Sequence, residues 1–348
     1  MSRTTDISDQ DIARPKRDGA AAPGSPRAII ADELGPIENY ALRPHDPGPP
    51  APDEVRIAVR AAGVSFVDVL IAQGRYQVKP AVPFIPGSEC AGVIEAVGDK
   101  VAGLHVGQKV VANDLGGKFA DLIVAPASNV YPMPERLSFA QAAVFAVSYA
   151  TVWHALVDRG GLKPGEALLV LGAGGATGFA AVQIGAWLGA RVIASASSEA
   201  KRAMALAGGA HAAVDSRSGA WREAVKAANG GKPLDVVFDP VGGAATEPAF
   251  RTLGWKGRHL VVGFPAGIAS IATNLPLLKG ACLVGVNMFQ FAQAEPEQSR
   301  STFERVLALA GEGVFTPAIA RTYPFEAFAE AMAEAAKGES AGRIVLVP

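Results

Sequence analysis

From residue 167 to 262, short apolar runs alternate without a break with segments of helical length. Strands are predicted at 167–171, 191–195, 212–214, 234–238 and 259–262, with helices at 178–188, 199–207, 221–228 and 246–253. Parallel strands need crossover connections, and helical crossovers cover both faces of a sheet, so short runs of this kind predict a doubly wound α/β domain.

The flanking regions have a different texture. From Arg27 onward, strands are predicted at 27–31, 54–60, 92–97, 109–111 and 121–124, with Pro- and Gly-rich loops at 44–52 and 80–87. This is the pattern of a β-rich module. Ser138 can cap a helix over 139–144, and another is expected over 149–157, before Gly160 and Gly161. Beyond 262, an edge strand is expected at 281–287, helices at 297–311 and 325–337, and strands at 318–321 and 343–347. A chain of 348 residues exceeds what one core usually holds. We therefore expect a β-rich domain in two pieces, 27–149 and 290–348, with the α/β domain, 150–289, between them.

Composition narrows the class. Residues 1–26 are rich in Ser, Asp, Arg, Ala, Gly and Pro and are expected to form a disordered tail without an apolar central run. Hydrophobic residues make up 49% of the chain and charged residues 19%, and the formal net charge is -1. Such a balance recommends neither nucleic acid nor a membrane surface as partner. No run of about 18 apolar residues is present to span a bilayer. The two cysteines, Cys90 and Cys282, are too few for a disulfide framework and fit a reducing, cytoplasmic setting.

The strand at 167–171 runs into Gly172, Ala173, Gly174, Gly175, Ala176, Thr177 and Gly178, and a helix follows. Glycines let the backbone turn sharply and approach a pyrophosphate, while the helix N-terminus supplies N–H groups and positive dipole. The same turn can also serve only to pack strand on helix. In NAD sites an acidic residue about 20 positions on takes the ribose hydroxyls. Here the next strand leads into Ser197 and Ser198, with Lys201 one helical turn on and Arg217 after the third strand. Hydroxyls and cations suit a 2′-phosphate, so NADPH is favoured over NADH. The plain alternative is a capped helix with basic surface residues.

Several blocks resemble one known family. They are residues 61–68 (AAGVSFVD), 86–92 (PGSECAG), 107–110 (GQKV), 117–120 (GKFA), the glycine turn, 239–243 (DPVGG), 261–263 (VVG) and 342–346 (GRIVL). In this order they resemble the quinone oxidoreductase (zeta-crystallin-like) branch of the medium-chain dehydrogenase/reductase superfamily, over residues 27–348. The resemblance implies a GroES-like catalytic domain, a Rossmann cofactor domain, a cofactor in the cleft between them, and a homodimer pairing through the edge strand at 281–287. Zinc-dependent members carry Cys where this chain has Ser65, His where it has Ser88, and a four-cysteine loop where it has residues 113–117. Hydroxyls are poor substitutes for thiolate and imidazole, so no metal is expected.

By motif position, Ser65, Asp68, Tyr76 and Thr151 fall near the nicotinamide. The first three are the catalytic candidates, and Thr151 is a cofactor contact. Ser65 replaces the Asn usual in relatives, Asp68 can equally be a helix brace, and Tyr76 can simply cap the cleft. His154 reads as a structural helix histidine, and Asp239 borders the cleft without a distinct chemical role. Gly263, Phe264 and Asn287 follow strand ends, where ligands of open α/β sheets collect. Arg343 is a candidate phosphate contact or a surface cation. The implied reaction is hydride transfer from NADPH to a quinone or α,β-unsaturated carbonyl. Reduction of a 2-enoyl thioester, or a structural or RNA-binding protein that keeps an unused cofactor site, are the alternatives.

Overall fold

The structure, a computed structural model, describes residues 25–348, so the expected tail lies outside the described residues except for its last two. The first part of the chain forms β1 (Arg27–Ile30), β2 (Ala41–Pro44), β3 (Glu54–Val64), α1 (Phe66–Ala72) and β4 (Glu89–Val97). It continues through β5 (Lys109–Asn113), β6 (Leu122–Pro126), β7 (Val130–Pro132) and α2 (Phe139–Ala142). The middle comprises α3 (Ala146–Trp153), β8 (Ala167–Leu171), α4 (Ala176–Trp187), β9 (Arg191–Ala196), α5 (Glu199–Ala207), β10 (Ala212–Asp215) and α6 (Trp221–Ala228). After these come β11 (Leu234–Asp239), α7 (Thr246–Phe250), β12 (Leu253–Val261), α8 (Asn274–Lys279), β13 (Cys282–Gly285) and α9 (Met288–Ala294). The last part is α10 (Pro296–Gly311), β14 (Ile319–Pro324), α11 (Phe328–Lys337) and β15 (Arg343–Val347).

β8 to β13 make one sheet in the order β10-β9-β8-β11-β12-β13, with every neighbouring pair parallel. Every residue of β8 is buried, as a central strand covered on both faces requires. Strand order reverses between β8 and β11, so the glycine turn leaving β8 lies at the switch point, where such sheets open a crevice.

A second sheet runs β14-β15-β3-β4-β5-β7. The eleven residues of β3 serve two partners on one side: Glu54–Ala58 pair with β6, and Ala62–Val64 with β15. The last strand of the chain thus returns to the N-terminal sheet. One apolar core joins the two sheets. Ala61, Ala91 and Val111 belong to the same buried cluster as Leu168, Val170 and Phe238, with Tyr149 of α3 and Phe303 and Leu307 of α10 between them. Each buried Leu or Phe of this kind contributes about 1.5–3 kcal/mol.

Several element boundaries depart from expectation. α3 begins at Ala146, not 149, and from His154 to Arg159 it widens into a π-helix closed by Gly160 N–H on the Ala155 carbonyl (2.8 Å). α4 opens two residues early, because Gly175 in extended conformation serves as its N-cap. The edge strand is only Cys282–Gly285; Asn287 instead caps α9, its side chain accepting from Gln290 N–H (3.1 Å). β4 starts at Glu89, β14 runs on to Pro324, and α7 stops at Phe250, where the chain must turn into β12. α1, β2, β7, α8 and α9 had no forecast. Among the described residues no helix is long and apolar enough to cross a membrane.

Candidate active site

The glycine turn is built for a backbone to approach something closely. Gly172 has φ +60°, which an L side chain rarely adopts. A Cβ on Gly178 would overlap the Gly172 carbonyl, and one on Gly174 would overlap the stem of Lys201. Ala173 N–H donates to the Ser195 carbonyl (3.0 Å), fixing the turn against β9. No side chain caps α4, so the first-turn N–H groups at Ala176, Thr177 and Gly178 meet no capping acceptor. A twelve-residue helix with an open N-terminus behind a side-chain-free cradle fits a pyrophosphate.

The neighbouring end of β9 gathers cations. Ser198 caps α5, its hydroxyl accepting from Lys201 N–H (3.3 Å), and Ser197 precedes it. Lys201 is only 7% exposed, and its Nζ donates to the Gly338 carbonyl (2.6 Å). Burial lowers its pKa, and Arg217 lowers it further, against an opposing pull from Glu339. Arg202, absent from the candidates above, reaches the Ala196 carbonyl and the Asp215 carboxylate (3.4 Å each). Asp215 also accepts from the Arg217 backbone N–H (2.9 Å), so the carboxylate that ends β10 is already engaged by the Arg202 guanidinium and a main-chain donor.

A second cluster sits at the start of α1. Ser65 and Asp68 form a capping box: Ser65 Oγ accepts from Asp68 N–H (3.2 Å), and Ser65 N–H donates to Asp68 Oδ2 (2.8 Å). Ser65 Oγ–H also donates to Oδ2 (2.6 Å), and Ser88 Oγ–H donates to Oδ1. Asp68 is 2% exposed; burial pushes its carboxyl up, while the Ser65 and Ser88 donors pull it down without cancelling the rise. The brace and the cleft candidate are therefore one residue. Tyr76 is half-buried against a second apolar cluster that includes Val69 and Ile71 of α1, and burial raises its phenol.

Beside Asp68 lies a group of which sequence alone singled out only Arg343. Glu89, buried at the start of β4, accepts from Arg343 (2.8 Å) and from Val147 N–H (3.3 Å). Arg343 also donates to Ser148 Oγ (2.8 Å). Burial lifts the Glu89 carboxyl to about 7; Asp68 adds to the rise and Arg343 opposes it. Arg343 is not a surface cation: it is 7% exposed, both terminal nitrogens are committed, and only its Nε is left without a partner. Arg343 is therefore held inward by Glu89 and Ser148 instead of standing free on the surface as a phosphate contact. Val147 and Ser148 open α3, which also carries Thr151 and packs on α4. Thr151 Oγ1–H donates back to the Val147 carbonyl (2.7 Å), leaving its lone pairs free.

The strand ends opposite complete the crevice. Asp239 takes four donors: Val241 N–H and Gly242 N–H (2.9 Å each), Thr246 Oγ1–H (2.7 Å) and His259 Nε2 (2.9 Å). Burial pushes its carboxyl up, but those donors hold it below its ordinary value, which makes it a brace for the β11 end. Gly263 lies against the Pro240 carbonyl, Phe264 is exposed, and Asn287 is occupied as a helix cap. His154 pairs with Asp158 (2.9 Å) and stacks on Phe291 (centroids 3.8 Å), a structural role as expected. Among the described residues no three His, Cys, Asp or Glu side chains come close enough to hold a metal ion.

A parallel sheet with a glycine turn at its switch point, joined to a β-rich lobe that bears a polar cluster, defines the medium-chain dehydrogenase/reductase class. Sequence comparison agrees: residues 51–135 match the alcohol dehydrogenase GroES-like domain family, and residues 176–310 the zinc-binding dehydrogenase family. The chain is 35% identical to the quinone oxidoreductase-like protein 2 of Bos taurus, covering 86% of each. Its fold matches the CurK enoyl reductase with TM-score 0.85, at 26% identity, covering 93% of this chain and 99% of that one. It matches a mycobacterial protein solved with NADPH equally well, TM-score 0.85 at 25% identity, covering 93% and 100%. The chain belongs to the quinone oxidoreductase branch of this superfamily, with a GroES-like β-rich lobe and a doubly wound Rossmann lobe.

Proposed function

We propose that the protein is a zinc-independent, NADPH-dependent oxidoreductase acting on a quinone or an α,β-unsaturated carbonyl. The observation that carries this reading is the donor set around Asp68: two serine hydroxyls at Ser65 and Ser88 and one buried carboxylate. Those groups make a hydrogen-bonded cluster with the carboxylate as acceptor, a poor set for zinc. Without a Lewis acid, a carbonyl whose developing charge delocalises is the suitable acceptor. With its pyrophosphate held at the glycine turn, the cofactor would supply the hydride from its nicotinamide. Tyr76 then offers its hydroxyl toward the developing oxygen, Ser65 does so only by turning its one O–H away from Asp68 Oδ2, and Thr151 orients the cofactor. Gly263, Phe264 and Asn287 wall the nicotinamide end, and solvent provides the proton.

The preference for NADPH rests on Lys201, Arg202 and Arg217 around Ser197 and Ser198, and on Asp215 being engaged. In this reading residues 27–149 and 290–348 carry the substrate side and 150–289 the cofactor side. A homodimer is supported by the open edge at β13, where Leu283 is exposed beside Trp255 (76%), Leu277 (81%) and Leu278 (75%). The likeness to an enoyl reductase supports a second reading, reduction of a 2-enoyl thioester.

The test is oxidation of NADPH with a panel of quinones, enones and enoyl thioesters, with NADH and a chelator as controls. Turnover of quinones or enones, at least tenfold better with NADPH and unaffected by chelator, is the expected result. Loss with chelator, or preference for NADH, overturns the metal or cofactor half, and turnover of thioesters alone selects the second reading.

A further inference from the structure

We propose that the 2′-phosphate site is shared between the two lobes, with the Gly338 carbonyl of the GroES-like lobe as a positioning group for the Lys201 ammonium. The inference rests on the reading of Lys201 as a 2′-phosphate contact and goes beyond it by adding a partner from the other lobe. Lys201 belongs to α5 of the Rossmann lobe, and its stem lies directly over Gly174 of the glycine turn. Its head reaches out of that lobe to the carbonyl of Gly338, the left-handed C-cap of α11. Lys201 and Gly338 are 137 positions apart in sequence.

A buried ammonium satisfied by one neutral carbonyl is incompletely paid for in hydrogen bonds. It has three donors, the carbonyl takes one, and burial with Arg217 nearby disfavours the charge more than Glu339 favours it. An anion beside the glycine turn supplies what is missing. A phosphate of charge about −1.5 to −2 can accept the two remaining N–H groups without displacing Gly338. The carbonyl then fixes where the ammonium sits, and the phosphate, Lys201 and Gly338 form one bridge between lobes.

The bridge has a place to end. From Gly338 the chain runs through Gly342, at φ +111°, into Arg343, whose N–H donates to the Ala318 carbonyl (2.8 Å) and whose guanidinium holds Glu89 and Ser148. Pinning Gly338 therefore steadies the short turn that leads to the buried cluster beside Asp68. NADH, lacking the 2′-phosphate, binds the same glycine turn without closing the bridge.

Hydrogen exchange followed by mass spectrometry tests this on the full-length protein saturated with NADPH or with NADH. Peptides covering 338–343 are expected to exchange at least threefold more slowly with NADPH than with NADH. Lys201→Met keeps the stem over Gly174 and removes the donors; it should erase that difference, and Lys201→Arg should restore most of it. If the protein prefers NADPH in binding titrations but 338–343 exchange alike with both cofactors, the shared site is wrong and Lys201 contacts the phosphate alone. An NADPH-specific slowing that survives in Lys201→Met also overturns it. If NADPH and NADH bind equally, the reading of Lys201 beneath the proposal fails, and the proposal with it.

Discussion

The two halves of the site are made of different material. At the glycine turn the working groups are backbone N–H donors and empty space, and side chains would only obstruct. At the Asp68 cluster the working groups are side chains from four distant stretches: Ser65 and Asp68, Ser88 and Glu89, Ser148, and Arg343. The first half tolerates no added atom; the second tolerates no missing partner. A ligand completes the first, whereas the second is nearly complete in itself, with two carboxylates facing one guanidinium.

That contrast predicts opposite failures. Gly178→Val should abolish dinucleotide binding, weakening it at least 100-fold, because its Cβ would meet the Gly172 carbonyl and push the turn out of shape. Titration by NADPH fluorescence measures this, and a folded circular-dichroism spectrum with no binding is the expected pair of results. Binding within a few-fold of the parent would mean that the cofactor does not use this turn.

At the other half, Arg343→Met leaves Glu89 and Asp68 buried without their cation, and removing one partner of a buried ion pair costs about 3–5 kcal/mol. Urea unfolding should show a loss of that size at pH 8 and a smaller one at pH 5. The sign follows from Glu89. Its folded value, about 7, lies above the ordinary 4.5, so its contribution to stability is full below 4.5 and is lost as pH rises through 7. Arg343 opposes that rise, so the loss of its guanidinium is felt most where Glu89 is ionised. Glu89→Gln should flatten the same window.

The difference in material also decides what sequence could reveal. The glycine turn is contiguous, and its strand–turn–helix context is written in residues 167–188, so its place in the fold was readable. Short apolar runs alternating with helical lengths likewise exposed the six-stranded parallel sheet, and runs between Pro and Gly most strands of the seven-stranded one. Glu89 gave no such signal, because nothing local distinguishes a buried glutamate at a strand start from an exposed one. Its partner lies 254 positions away, and only the return of β15 to β3 brings them together. Arg343 was mistaken for a possible surface cation for the same reason. Asn287 was placed at a strand end, where it is in fact a cap, because a short polar residue before a helix and one after a strand look alike in sequence. Five short elements escaped notice. α1 is the instructive one: its capping box of Ser65 and Asp68 was present, and a helix brace was one reading of Asp68, but a seven-residue helix is too short to show its period.

The smallest expected effect is the one that best separates brace from catalyst. Ser65→Ala removes the hydroxyl that accepts Asp68 N–H and donates to Asp68 Oδ2, but spares the backbone N–H and the Ser88 donor. Loss of an N-cap of this kind costs about 0.5–2 kcal/mol, readable in urea unfolding. Asp68 stays buried with one donor fewer, so its carboxyl should move further up, since the hydrogen bond from Ser65 is what pulls it down. If Ser65 is only a brace, kcat and KM with a quinone or enone should stay within about twofold once the protein is folded. If its hydroxyl instead swings from Asp68 Oδ2 to steady the developing oxygen, kcat should fall by at least tenfold with KM little changed, because an interaction made only in the transition state is lost from kcat. The proposed function expects the second outcome; the first would leave Tyr76 as the remaining side-chain donor and reduce the Asp68 cluster to architecture.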